Sequence, residues 1–261
     1  MTNNELALVV LSCDKFSSLW PLFFKRLDEN FSINSAKVYL LSNHINSNIK
    51  SDHAVEVVCV GDDISWSANL RKLLMGISEQ NILLLMDDAP LSQVVKVKDF
   101  QHFYGLFVEH KMNYLNLKAS PAPNSNIGDY FGEILPSTSY RTSASPSFWR
   151  KNILLSLLKD NENAWQFEIN GSRRSDQYQG FYAVKKPFLI FDHIVFKGKV
   201  DRRTYKKLKN NNEHVDIDFP VMSFWEHFKL NMMKIRAQIV RTVIPGSIKS
   251  AFRKIKYNNF I

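Results

Sequence analysis

Short apolar runs alternate with amphipathic stretches through the first 90 residues. The uninterrupted apolar run Leu6–Leu11 predicts a strand that is buried on both faces. Three further runs predict strands, at residues 37–41, 55–60 and 82–86. Between them, Ser17 or Ser18 can cap one helix, and Ser65 can cap a second helix with a clear apolar stripe. This alternation predicts an α/β fold with a mostly parallel sheet flanked by helices.

The pattern weakens beyond residue 92. It predicts a helix at 94–109, a strand at 114–117 and an extended stretch at 138–143. Ser145 and Pro146 are typical of a helix start, so we expect a helix that contains Phe148 and Trp149. We predict one domain over residues 1–218, followed by a C-terminal helical extension over residues 219–261.

Charge is distributed unevenly along the chain. Residues 1–184 contain 17 Lys and Arg against 19 Asp and Glu, whereas residues 185–261 contain 17 against 6. The C-terminal part is therefore expected to meet an anionic partner. Two cysteines are too few for a disulfide framework, and no apolar run is long enough to span a membrane. With no signal peptide visible, these features favour the cytoplasm.

Acidic residues follow three of the predicted strands directly. Asp14 comes after the first strand, Asp62 and Asp63 after the third, and Asp87 and Asp88 after the fourth. The carboxyl ends of parallel strands lie at one edge of the sheet, where open α/β sheets bind ligands. These carboxylates can thus converge on one crevice. Helix caps or solvated loop residues are the alternative.

The most specific segment runs from residue 61 to residue 88. It combines Asp62-Asp63, the helix start Ser67-Ala-Asn-Leu-Arg71 and the strand end Leu83-Leu-Leu-Met-Asp-Asp88. This set resembles the nucleotide-sugar-binding half of GT-A glycosyltransferases, although Asp-Asp-Ala replaces the family's Asp-x-Asp. The resemblance implies a Mn²⁺ or Mg²⁺ ion at Asp88 that neutralises a diphosphate. It also implies donor contacts from Ser12, Asp14, Asp63, Arg71 and Asp87.

A second set of motifs begins at Tyr140. Tyr140-Arg-Thr-Ser143, Phe148-Trp-Arg-Lys151 and Trp165-Gln-Phe-Glu168 look like elements of small bacterial GT-A transferases of capsule and lipopolysaccharide assembly. The resemblance implies that Glu168 deprotonates the acceptor hydroxyl. Acceptor contacts would come from Tyr140, Arg141 and Trp165. The alternative pairs Glu168 with Arg173 or Arg174 and buries Trp165 in the core.

The segment Phe191-Asp-His-Ile-Val-Phe-Lys-Gly-Lys199 is the last candidate for donor chemistry. In GT-A enzymes a late histidine often completes the metal site, so the resemblance implies that His193 is a second metal ligand. Lys197 and Lys199 can bind the pyrophosphate, and Gly198 allows a close backbone approach. A structural histidine and a solvated charge cluster are the alternatives.

The C-terminal residues 221–261 combine eight Lys and Arg with one acidic residue and many large apolar side chains. Basic and apolar residues alternate at helical spacing, which is typical of a segment that lies on an anionic membrane surface. An ordinary packed helix with a basic outer face explains the pattern about equally well. Nucleic acid is an unlikely partner because no known binding module accompanies the charge.

Together these features predict a glycosyltransferase that moves a sugar from a nucleotide-sugar donor, UDP being the favoured nucleotide, to a growing surface glycan or glycolipid. The mechanism is expected to be inverting, with Glu168 as general base. The enzyme is expected in the cytoplasm, peripheral on the inner face of the cytoplasmic membrane. The alternatives are a sugar nucleotidyltransferase and a non-catalytic protein that binds lipid or nucleic acid.

Overall fold

The structure is a computed structural model that describes residues 5–33, 36–144, 146–211, 213 and 217–243. The chain divides into two compact units. The first contains Met1–Ile194 and His214–Asp218, and the second contains Val195–Glu213 and Phe219–Ile261. The predicted division at residue 218 stays a prediction.

The first unit is built on an eight-stranded sheet. Its amino-terminal half contains four parallel strands in the order β3-β2-β1-β4, namely β1 (Leu6–Leu11), β2 (Lys37–Ser42), β3 (Val55–Cys59) and β4 (Asn81–Met86). Helix α1 (Trp20–Asn30) connects β1 to β2, and helix α2 (Trp66–Gly76) connects β3 to β4. Leu11 pairs with Met86, so β1 and β4 end at the same level.

The predicted elements of this half are confirmed to within one or two residues at their ends, except that α1 begins later. A 3₁₀ turn, Asp14–Leu19, precedes α1, which has Pro21 in its first turn. The Ser65 hydroxyl caps α2 by accepting a hydrogen bond of 3.1 Å from the Ala68 N–H. Alternate residues of β1 enter two different hydrophobic cores, one with α1 and the other with α2. Strand β1 is therefore buried on both faces.

The carboxyl-terminal half of the sheet mixes strand directions. It adds α3 (Val97–Glu109), β5 (Tyr114–Asn116), β6 (Phe131–Glu133), β7 (Ser147–Arg150), α4 (Lys151–Leu157), α5 (Ala164–Gln166), α6 (Ser172–Arg174) and β8 (Phe181–Val184). The sheet continues from β4 in the order β7-β5-β8-β6, with β7 antiparallel to both of its neighbours. The predicted fold class, α/β with a mostly parallel sheet flanked by helices, is confirmed.

The predicted helix containing Phe148 and Trp149 is wrong. Both residues lie in β7 and are fully buried, one in each core, and the helix begins only at Lys151. A central strand accommodates aromatic side chains on both faces, which explains why this segment is a strand and not a helix. The expected cap Ser145 lies outside the described residues. The stretch before it is a turn rather than extended, because Tyr140 has φ +57°.

The second unit contains a short hairpin and two helices. Strands β9 (Val195–Phe196) and β10 (Lys199–Val200) pair around Lys197 and Gly198, which both have positive φ as a two-residue hairpin turn requires. Helices α7 (Arg202–Asn210) and α8 (Phe224–Val243) follow. Within the described residues, no helix is both long and apolar enough to cross a bilayer.

Candidate active site

A buried polar cluster lies where β1 and β4 end. The Ser12 hydroxyl donates a hydrogen bond to the Asp87 carboxylate, and the Trp20 indole N–H donates to Ser12 Oγ at 2.6 Å. Burial raises the pKa of Asp87 well above its usual range, against the opposing effect of the Ser12 hydrogen bond. The structure thus brings the predicted donor residues Ser12 and Asp87 together. Trp20, the first residue of α1, completes the cluster.

The neighbouring carboxylate, Asp88, has an unusual environment. Its Oδ1 atom is buried and has no hydrogen-bond partner within the described residues. Burial raises the pKa of Asp88 to about 6, while the positive charge of Lys118 acts in the opposite direction. The chain turns here, because the Ala89 N–H donates to the Met86 carbonyl at 3.1 Å. A desolvated carboxylate with an unsatisfied oxygen is a position where a cation is stabilising.

His193 is held beside Asp88 by the backbone. The Ile194 N–H donates to the Asp88 carbonyl at 2.8 Å, and the Asp192 N–H donates to the Pro90 carbonyl at 3.1 Å. His193 Nε2 also lies 3.5 Å from Lys118 Nζ. The structure therefore brings the two predicted metal ligands to one place. Sequence reasoning missed Lys118, whose only signal was a basic residue directly after a predicted strand.

The donor set at this position fits a divalent cation. A carboxylate oxygen is the ligand that Mg²⁺ and Mn²⁺ prefer, and imidazole can add a second bond to Mn²⁺. The described residues contain no group of three or more His, Cys, Asp and Glu side chains with metal-site geometry. Phosphate oxygens and water would therefore supply the remaining ligands, as they do where metals bind with nucleotides.

The other two predicted donor carboxylates also lie near the ends of strands. The Asp14 carboxylate accepts hydrogen bonds from the Ser42 hydroxyl at 2.8 Å and from the backbone N–H groups of residues 43–45. Burial acts to raise the pKa of Asp14, but these bonds hold it below its ordinary value. Asp14 therefore fixes the loop after β2. Asp63 accepts from the Asn69 side chain at 2.7 Å.

Two arginines predicted to bind substrate form hydrogen bonds within the protein. Arg141 is fully buried, and its guanidinium donates to the backbone carbonyls of Ile134, Ser175 and Tyr178. Arg71 donates to the Asp160 carboxylate at 3.1 Å and to the carbonyls of Leu155 and Leu158. Both guanidinium groups are thus engaged by backbone carbonyls of neighbouring segments, and the acceptor contact of Arg141 and the donor contact of Arg71 stay predictions.

Glu168 lies in a π-helical turn, Phe167–Gly171, and faces the segment that leads into β7. Its Oε1 accepts hydrogen bonds from the Ser143 hydroxyl at 2.6 Å and from the Ala144 N–H at 3.0 Å. The alternative partner Arg174 instead forms an ion pair of 2.6 Å with Glu162. Glu168 is therefore held by two neutral hydrogen-bond donors, whereas Arg174 pairs with Glu162.

Strand directions place Glu168 and Asp88 at the same edge of the sheet. Because β7 runs antiparallel to β4, its first residue, Ser147, pairs with Leu84 near the end of β4. Ser143 and Ala144, which hold Glu168, lie four and three residues before the start of β7. The expected base and the expected metal ligand thus lie at the edge where β1 and β4 end, as ligand sites of open α/β sheets do.

The two aromatic candidates for acceptor binding are accessible. Trp165 is 63% exposed and Tyr140 is 42% exposed. The alternative in which Trp165 is a core residue is therefore wrong. Tyr140 is held at a positive φ in the turn that ends at the buried Arg141. Exposed rings next to a polar site are suited to stacking against the apolar face of a sugar.

Lys197 and Lys199, predicted to bind phosphate, belong to the second unit. Lys199 forms an ion pair with Glu226, which lowers the pKa of that carboxyl to about 2. Lys197 lies in the hairpin turn, with its ammonium 5.8 Å from the centre of the Phe196 ring. The ammonium of Lys199 is therefore already engaged within its own unit, and a phosphate role for either lysine stays a prediction.

No family model and no curated protein matches this chain. Among solved structures it is similar to S. aureus TarS 1-349, with a TM-score of 0.49 and 8% identity over 72% of this chain and 59% of that one. A complex of that protein with UDP-GlcNAc matches with a TM-score of 0.43 and 10% identity, over 58% and 47% of the two chains. A complex with UDP matches with a TM-score of 0.44 and 9% identity, over 69% of this chain and 60% of that one. The chain thus spans about three fifths of the length of the first of these structures.

Proposed function

We propose that this protein is a glycosyltransferase that moves a sugar from a nucleotide-sugar donor to a hydroxyl of an acceptor glycan. The observation that carries the proposal is the placement of Asp88 and Glu168 at one edge of the sheet. Sugar transfer needs positive charge near the departing diphosphate and a base near the attacking hydroxyl. These are the two roles that the sequence resemblance implies for these two residues.

The donor end of the site is the polar cluster at the ends of β1 and β4. Ser12, Asp63 and Asp87 offer hydrogen-bonding groups for the nucleoside, whose ribose presents hydroxyl donors to carboxylates. A Mg²⁺ or Mn²⁺ ion, when bound by Asp88 and His193, would offset the negative charge of the leaving diphosphate. Lys118 adds a fixed positive charge next to both ligands.

The acceptor end is centred on Glu168. Its carboxylate takes the proton of the acceptor hydroxyl while that oxygen attacks the anomeric carbon and the bond from that carbon to the diphosphate oxygen breaks. A single in-line displacement inverts the anomeric centre. The hydrogen bonds from Ser143 and Ala144 to Oε1 orient the carboxylate for this step. Trp165 and Tyr140 offer exposed rings on which the acceptor sugar stacks.

The finer identity of the substrates rests on the motifs at residues 140–168, which resemble transferases of capsule and lipopolysaccharide assembly. We therefore propose a surface glycan, such as a capsule, O-antigen or lipooligosaccharide chain, as acceptor. UDP-sugars are the first donors to test, and the expected place of action is the inner face of the cytoplasmic membrane.

The proposal is tested by incubating the full chain with UDP-, GDP-, CMP- and dTDP-sugars, with and without Mn²⁺, and measuring the released nucleotide. We expect release from one donor class, faster with a glycan acceptor and slowed about 10²-fold in Glu168→Gln. Release from no donor, or equal release by the variant, contradicts the proposal. Formation of a nucleotide sugar from a sugar phosphate and a nucleoside triphosphate would identify a nucleotidyltransferase instead.

A further inference from the structure

The net positive charge of the protein is concentrated in its second unit. Its residues include 15 Lys and Arg and three Asp and Glu, a net charge of +12, so the first unit has a net charge of −3. A charge of this size in about 60 residues creates a positive potential that attracts anionic surfaces. The site at the sheet edge belongs to the first unit. The transfer reaction proposed for that site therefore does not account for the charge of the second unit.

Helix α7 presents most of its basic residues on one side. At 100° per residue, these residues lie on the half of the helix opposite the buried Leu208, and they are Arg202, Arg203, Lys206, Lys207 and Lys209. The Asp201 side chain caps the helix by accepting from the N–H groups of Arg203 and Thr204. The cap fixes the start of the helix, and the basic side, opposite the buried leucine, is largely exposed.

Helix α8 presents an apolar stripe to solvent. We call it the α8 stripe; its residues lie within about a third of the helix circumference and are 48–68% exposed, namely Phe224, Trp225, Phe228, Met232 and Ile235. The other side of the helix carries the buried Leu230 and contacts its own unit through His227 Nδ1, which lies 3.4 Å from Asp201 Oδ2. Three neighbouring exposed aromatic rings on one helix face are unusual for a protein surface.

We propose that the second unit attaches this protein reversibly to an anionic lipid bilayer. The α8 stripe enters the boundary between head groups and acyl chains, and the basic side of α7 meets the anionic head groups. A nucleic acid would neutralise the charge but leave the stripe in water. An apolar protein groove would cover the stripe but leave a charge of +12 unmatched. Of these three partners, the lipid surface is the one that satisfies both features, and this attachment does not depend on the proposed function.

The test is cosedimentation of the full chain with vesicles of phosphatidylcholine alone or with about a third of phosphatidylglycerol. We expect binding to the anionic vesicles, loss of most of it at high salt, and little binding to phosphatidylcholine. Trp225→Ser/Phe228→Ser and Lys206→Glu/Lys209→Glu should each weaken it at least about tenfold. The matched controls, Met75→Ser/Val94→Ser and Lys96→Glu/Lys98→Glu, change exposed residues of the first unit and should bind as the unchanged protein does.

The proposal is overturned if the two second-unit variants bind anionic vesicles as tightly as the unchanged protein does. It is also overturned if the unchanged protein binds neutral and anionic vesicles equally. A dimer in solution that the stripe variant dissociates overturns it too, because the stripe is then a protein interface. Circular dichroism of each variant verifies the fold. Nucleotide release from a soluble donor, measured on the same samples, separates this proposal from the proposed function, since the variants should retain that activity.

Discussion

The Ser143 hydroxyl donates a hydrogen bond of 2.6 Å to Glu168, from the segment that leads into the central antiparallel strand β7. Two residues that are 25 positions apart in the chain thus fix the candidate base against the sheet. The neighbouring carboxylate Glu162 differs, because it forms an ion pair of 2.6 Å with Arg174. This contrast between two nearby carboxylates gives the first two predictions.

Glu168→Gln should lower turnover about 10²-fold, because the amide keeps the shape of the side chain but cannot accept the acceptor's proton. Donor affinity should change little, since the Ser143 and Ala144 hydrogen bonds can still form to the amide oxygen. Initial rates and calorimetric titration with the nucleotide measure the two effects. Glu162→Gln is the matched control and should retain turnover. Near-normal turnover in Glu168→Gln would reassign this residue to structure.

Glu162 should contribute to stability in a pH-dependent way. Burial acts to raise its pKa, but hydrogen bonds from Arg174 and Asn170 hold the pKa below the ordinary value of 4.5. The stabilisation is therefore fully present above pH 4.5 and is lost as the pH falls through the folded-state pKa. Glu162→Gln should lower the free energy of unfolding at pH 7 by about 2 kcal/mol. Thermal melts from pH 7 to about pH 3 measure the difference; a constant difference between the proteins would contradict the ion pair.

Arg141→Lys should destabilise the protein rather than weaken acceptor binding. The guanidinium makes hydrogen bonds to three backbone carbonyls and lies 4.3 Å from the centre of the Phe181 ring, and an ammonium cannot reproduce that planar geometry. We expect a loss of about 3 kcal/mol in urea denaturation. An unchanged denaturation midpoint together with a raised KM for acceptor would restore the substrate-binding role.

The first 90 residues could be predicted from the sequence because their information is local. Apolar runs, a serine cap and a helical stripe each fix an element within its own length. The prediction at Phe148 and Trp149 was wrong because the apolar spacing of this segment also suits a helix. The decision for a strand comes from pairing with β4 and β5, whose residues lie far away in the chain.

The candidate site was predictable only in part. Asp88, His193 and Glu168 could be proposed from the sequence because they stand in motifs that resemble those of GT-A enzymes, and their roles stay predictions. Lys118 was missed because its approach to His193 joins residues 75 positions apart, through the end of β5. The burial of Arg141 was not foreseen, because no local pattern shows that its guanidinium donates hydrogen bonds to Ser175, 34 positions away. Contacts between distant segments decide such cases.

The most direct test of the central claim is calorimetric titration of the full chain with UDP, GDP, CMP and dTDP, with and without Mn²⁺. The account predicts that one nucleotide binds, that Mn²⁺ tightens its binding about tenfold, and that Asp88→Asn removes this effect. Asp129→Asn, an exposed loop carboxylate, should bind as the unchanged protein does. Binding of none of the nucleotides, or an Mn²⁺ effect that survives in Asp88→Asn, would contradict a donor site at the ends of β1 and β4.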